Sequence, residues 1–162
     1  MTGKKFAEST DVPVSRTRAE LEDLLSRYGA SATAIFTSRD SAAVAFEMHD
    51  RKIVFKLRLP DPQARDFTHT KRGFRPVEER SAEAARQAWE KACRRKWRAL
   101  LLAVKAKLVA VDDGIETFEE AFMAHVVMPD GRTVGNHIKP RIAEAYLENK
   151  HVPLLPHVGG AN

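Results

Sequence analysis

The longest regular pattern in the chain runs from Ser81 to about Val111, and it dictates what the remaining segments must supply. Trp89, Cys93, Trp97, Leu100, Leu101, Val104, Leu108 and Val111 recur at spacings of three and four, which places them on one side of a helix. Ser81 stands where an N-cap belongs, and "DDG" at Asp112 to Gly114 breaks the pattern. A helix with a single apolar stripe draws its stability from burying that stripe against a second layer.

The second layer is legible upstream. From Ala30 the period changes to two: Ala32, Ala34 and Phe36 alternate with Thr33, Ile35 and Thr37, and "SRDS" reads as a turn. Val44, Phe46 and Met48 form the inward face of a second strand, and "HDR" at His49 to Arg51 is the next turn. Ile53, Phe55, Leu57 and Leu59 then alternate with Lys52, Val54, Lys56 and Arg58 until Pro60 ends the strand. The three strands predict an antiparallel meander. Ahead of it, "SRTRAELEDLLSRYG" places Thr17 and Glu20 in capping-box spacing, gathers Leu21, Leu24, Leu25 and Tyr28 on one helical face, and ends at Gly29.

Downstream, a helix over about Ile115 to His125 is expected to bury Phe118 and Phe122. "MPDGRTV" makes a turn, and a last helix follows with a start or kink near Pro140. The predicted class is α+β: an N-terminal helix, a three-stranded antiparallel meander, a long helix packed on one side of the sheet, and smaller C-terminal helices. At 162 residues, 43% hydrophobic, the chain suits one domain, expected over 15–150. Residues 1–14 read as a disordered lead-in and 151–162 as a flexible tail. The apolar runs fall short of a membrane span and the first residues lack a signal-peptide core. One cysteine, Cys93, excludes an intrachain disulfide. A cytoplasmic protein without a membrane partner is therefore expected.

Charge carries the functional signal. With 27 Lys+Arg against 22 Asp+Glu the net charge is +5, a bias toward polyanionic partners. Two surfaces concentrate it. Lys91, Arg98 and Lys105 recur every seven positions on the long helix, with Arg94 and Arg95 beside them. Lys52, Lys56 and Arg58 project from one face of the third strand. The connection over 60–80 adds "THTKRGFR", with Lys71, Arg72, Phe74 and Arg75, and is of a length usually functional or disordered. One-signed rows suit a phosphate backbone, and Phe74 or Phe67 would offer a base a stacking partner. Each row also has an ordinary reading, as a solvated helix face, a gatekept strand or a solvated loop.

Several chemistries find no support. There is no phosphate-binding GxxxxGK[ST] loop, no GxxG clamp and no RNP-type aromatic signature. The six histidines lack HExxH or CxxC partners, so no metal or cofactor is expected. Asp112, Asp113 and Glu116, with Glu119 and Glu120, offer a magnesium-nuclease reading, but acidic residues also favour a helix N-terminus. Cys93 sits on the apolar stripe, where a buried, inert thiol is expected. The helix–three strands–helix order is shared with the double-stranded-RNA-binding domain, which needs a short third-strand connection and lysines opening its last helix; here stand the long basic loop and "SAEAARQAW".

The stretch "WEKACRRKWRALLLAVKAKLVAVDDGIETFEEAFMAHVVMPDGRTV", with "FEMHDRKIVFKLRLP" and "FTHT" upstream, resembles a family of small uncharacterised proteins encoded by phages and prophages. The resemblance covers most of Ser15 to Pro156 and implies a setting without implying a site. In outline alone, a meander followed by a long helix is similar to the core of phage single-strand annealing proteins. The expectation is a protein that binds nucleic acid without sequence preference, single-stranded DNA above all, in replication or recombination. The alternative is an interaction module that docks on a protein. A homo-oligomer is left open.

Overall fold

The computed structural model describes residues 11–70, 73 and 76–149. It is α+β: helix α1 (Val14–Arg27), strands β1 (Ala32–Thr37), β2 (Ser41–Met48) and β3 (Arg51–Arg58), short helix α2 (Arg65–Thr68), long helix α3 (Ala82–Asp112), α4 (Phe118–Phe122) with a 3-10 turn at Met123–His125, and α5 (Val134–Glu148). The sheet is an antiparallel meander in the order β1-β2-β3.

Three local devices set the boundaries. The Ser81 hydroxyl accepts from the Ala84 N–H at 3.2 Å and opens α3. His49 and Asp50 both take positive φ, 50° and 56°, the geometry of a two-residue hairpin turn whose twist matches its strands. Gly29, at φ 90°, closes α1.

One core unites the layers. Val44, Phe46, Met48, Ile53 and Phe55 on the sheet pack with Leu21, Leu24 and Leu25 of α1, Trp97, Leu100, Leu101, Val104 and Leu108 of α3, and Phe118 and Phe122 of α4. All the covering helices lie on one side, so the other face of the sheet carries Lys52, Lys56 and Arg58, all exposed. The two outer strands differ. The β3 edge is covered at its start: Ile53 bridges Val126, and the Val127 N–H donates to the Lys52 carbonyl at 2.8 Å. On β1, Thr33 and Thr37 sit in register with buried Phe46 and Ala42 yet are exposed. The helical layer therefore covers the first strand only in part, at Ile35.

The structure departs from the sequence reading in places. α1 starts at Val14 with Pro13 as its N-cap. Thr17 does not cap it: the residue is fully buried one turn in, and its hydroxyl donates to the Pro13 carbonyl at 3.4 Å. Ile115 is exposed, and the next helix opens instead at Thr117 through a capping box with Glu120. α5 likewise starts at a Thr133–Asn136 capping box and runs through Pro140. Its Gly135 is obligatory in volume, since a Cβ there would stand 2.7 Å from the Ala124 carbonyl oxygen. Trp89, expected in the core, is half-buried, and its indole N–H donates to the Pro60 carbonyl at 2.7 Å. The 60–80 connection is pinned by α2 and by pairing of His69 with Glu79, the Thr70 N–H donating to Glu78 and the Arg80 N–H to Thr68. The expected lead-in up to residue 10, the tail 151–162, and Lys71, Arg72, Phe74 and Arg75 lie outside the described residues. Among the described residues no helix is long and apolar enough to cross a membrane.

Candidate functional site

Residues directly opposite one another in an antiparallel ladder share a face, so the pairing defines the open side of the sheet row by row. Ala32, Glu47 and Lys52 form one row, Ala34, Ala45 and Val54 the next, then Phe36, Ala43 and Lys56, and finally Ser41 with Arg58. The two ends of this face differ in charge. At one end Lys52 is paired with Glu47 at 3.6 Å, and Arg51, at the strand start, reaches Glu119 at 3.9 Å. At the other end stand Lys56, Arg58 and Phe36, beside the Ser38–Ser41 turn. Lys56 has no ion-pair partner among the described residues.

The nearby acid at that end is Asp40. Hydrogen bonds from the Ser38 and Ser41 hydroxyls hold its carboxyl below the usual carboxylate range, with a smaller contribution from Arg58. Asp40 also accepts through its carbonyl from the Leu59 N–H at 2.8 Å, which ties the hairpin turn to the end of β3. The basic connection leaves the sheet here, next to Arg58. Its Phe67 is half-buried and its carbonyl accepts from Arg80 at 3.1 Å.

The α3 row is differently placed and differently engaged. It belongs to the layer on the opposite side of the sheet from Lys56 and Arg58. Arg98 leans into the contact between α3 and α1 and donates to the Glu20 carboxylate. Lys105 lines the same shallow groove of about 280 Å³, whose walls include Glu20, Asp23, Arg27 and Arg98. Lys91 is exposed, and Arg94 and Arg95 are half-buried. Nearby, Arg18 lies over the Trp97 ring at 6.0 Å.

Among the acidic candidates, Glu120 serves the capping box that opens α4. Glu120 accepts from the Thr117 N–H and hydroxyl, both at 2.8 Å, and these bonds lower its pKa. Among the described residues no group of three His, Cys, Asp or Glu is placed to hold a metal ion. Cys93 is buried, and burial pushes its thiol up to about 11, far from the thiolate that a nucleophile needs.

The residue that sequence reasoning passed over is Phe36. Its alternation with Ile35 was legible, but its 62% exposure follows from its place on the sheet face opposite the helices, beside Ala43 and Lys56, and the alternation by itself does not say which face is covered. No family model, curated protein or solved structure matches the chain.

Proposed function

We propose that the chain binds nucleic acid without sequence preference, with single-stranded DNA as its ligand, in replication or recombination of the phage type. The observation that carries this reading is the Lys56–Arg58 end of the open sheet face: exposed cations on a surface left uncovered by the helices, with Lys56 free of an internal counter-ion among the described residues. Phosphates neutralise such a row and release condensed counterions, whereas base identity goes unread where the contacts are to the backbone. The net charge of +5 acts in the same direction by steering an anionic chain toward the protein.

The test is the salt dependence of binding to a labelled oligonucleotide. The log–log slope is expected to change by about 0.7 for each phosphate that is no longer neutralised. Replacing Lys52, Lys56 and Arg58 together with glutamine should flatten it by up to about 2 units. Lys52 should contribute least, because Glu47 already compensates it. Unrelated oligonucleotide sequences should be weakened equally.

A second reading, docking on a protein, has its own observation. The outer half of α5 presents Ile142 together with Tyr146 and Leu147, which are 86% and 87% exposed. Absence of oligonucleotide binding by the wild type at low salt would overturn the first reading in favour of this one.

A further inference from the structure

We propose that Phe36 is a stacking platform for one unpaired base, and that it makes the open sheet face selective for single-stranded over duplex nucleic acid. The inference rests on the nucleic-acid reading above and adds to it the residue that distinguishes the two forms of ligand.

The geometry is that of a flat floor with an aromatic ring on one side and cations on the other. Phe36, Ala43 and Lys56 lie directly across from one another, so the ring and the ammonium start from Cα atoms about 9–10 Å apart, two strand spacings. The positions between and beside them on this face are Ala34, Ala43, Ala45 and Val54. None of these side chains is tall enough to fill the space over the floor. The ring is 62% exposed, and among the described residues it stacks on no other aromatic ring. No carboxylate of the described residues holds Lys56 down, and Arg58 follows in the next row.

A nucleotide presents a hydrophobic π-face at one end and a phosphate at the other, joined by a sugar. Laid across the strands, it places its base on Phe36 and its phosphate within the sweep of Lys56, while the next phosphate meets Arg58. Stacking on an aromatic side chain is indifferent to base identity because every base has a π-face, which fits a protein that reads no sequence. A duplex offers the same phosphates, but its bases are stacked on each other and closed to the ring. The cations therefore serve both ligands and Phe36 serves one.

The experiment compares a fluorescein-labelled oligothymidylate with a labelled mixed-sequence duplex, by anisotropy at one low salt concentration and across a salt series. Phe36→Ala is expected to weaken oligothymidylate binding roughly tenfold to a hundredfold, the factor associated with one base–aromatic stack. Duplex binding should stay within about twofold, because only phosphate contacts serve it. The salt slope should be unchanged, since the substitution removes no charge, and Phe36→Trp should restore single-strand affinity. Because the ring lies outside the core, the far-ultraviolet circular dichroism and melting of Phe36→Ala should match the wild type. If Phe36→Ala binds both ligands as the wild type does while Lys56→Gln still flattens the slope, the stacking proposal is overturned and the nucleic-acid reading stands. Equal weakening on single strand and duplex in a folded Phe36→Ala would overturn it as well. If the wild type binds neither ligand, both fall together.

Discussion

Arg98 and Lys56 look alike in the sequence, each a cation in a one-signed row, and they end in opposite circumstances. Arg98 is about one-quarter exposed and bound to Glu20, a residue 78 positions away on another helix. Lys56 lies in the open on a sheet face, with no carboxylate of the described residues against it. In the helix row Arg98 is committed to holding α1 on α3, and in the sheet row Lys56 has no ion-pair partner among the described residues. Positive charge counted along a sequence is thus not positive charge available to a ligand. What separates the two is whether the fold brings an acid to the row, and that is a property of the tertiary contacts.

The largest effect expected from this contrast belongs to the helix side. Trp97 is 2% exposed and sits under Arg18 in the α1–α3 contact. Trp97→Ala should destabilise the protein by about 3–5 kcal/mol, because a large buried ring leaves a cavity that the surroundings fill only in part. Urea or guanidinium unfolding followed by circular dichroism measures it. A midpoint equal to that of the wild type would mean that α3 is not held by the core it shares with the sheet, and the comparison of its row with the sheet row would have no basis.

Much of this fold was legible because short-range periodicities report burial directly. The alternation through Val44, Phe46 and Met48 and through Ile53, Phe55 and Leu59 gave the inward face of two strands, and the threes and fours from Cys93 to Leu108 gave the buried stripe of α3. Ser81 and Gly29 marked their boundaries through cap and left-handed geometry. What stayed hidden depends on which elements meet. Thr17 has capping-box spacing to Glu20, but upstream residues take up the helix, so the hydroxyl is buried and Glu20 is left to face Arg98. Trp89 fits the apolar stripe, yet it stands near the start of α3, where its indole reaches the Pro60 carbonyl just past the end of β3 and remains half-buried. Phe36 obeys the strand alternation; that its face of the sheet is the uncovered one is fixed by α1 and α3 both packing on the other side. For the candidate site the sequence supplied Lys52, Lys56 and Arg58 and their common face. It did not show that Glu47 compensates the first of them, nor that the aromatic partner comes from β1.

A smaller effect sharpens the contrast between the two cations. In a double-mutant cycle, Arg98→Gln and Glu20→Gln should show a coupling of about 0.5–1 kcal/mol, the range for ion pairs that retain some solvent contact. The cycle is needed because Glu20 also meets Arg16 at 3.4 Å. Lys56→Gln, by contrast, should leave stability within about 0.5 kcal/mol of the wild type, as expected for a surface position that anchors nothing. Were Lys56→Gln to cost as much as Arg98→Gln, the sheet cation would have an internal role and could not be counted as available to phosphate.

The smallest effect concerns a cation that is committed to the fold and still acts on a neighbour. Lys107 donates to the Ala121 carbonyl and lies 5.9 Å from the centre of the Phe122 ring. Close by, His125 stacks on Phe55 with ring centroids 3.9 Å apart, on the segment that covers the β3 edge. Burial lowers the pKa of His125 from its ordinary value of 6.5, Lys107 and more weakly Lys139 act in the same direction, and a backbone hydrogen bond with Val54 opposes them. The sign follows from the neutral ring being the folded form. Above the ordinary value neither the folded nor the unfolded chain carries the proton, and the stability contributed by this site is complete. As the pH drops through 6.5 the unfolded chain takes up the proton first, so stability declines until the folded pKa is passed. Unfolding midpoints measured downward from pH 7.5 should therefore fall more steeply for the wild type than for His125→Phe, which keeps the stack on Phe55 and cannot titrate. Lys107→Gln should reduce the difference by removing one of the fields that lower the pKa, at some cost in stability from the missing bond to Ala121. Parallel pH profiles for the wild type and His125→Phe would show that the imidazole is solvated, and that the segment covering the edge of β3 is held less closely than its bond to Lys52 indicates.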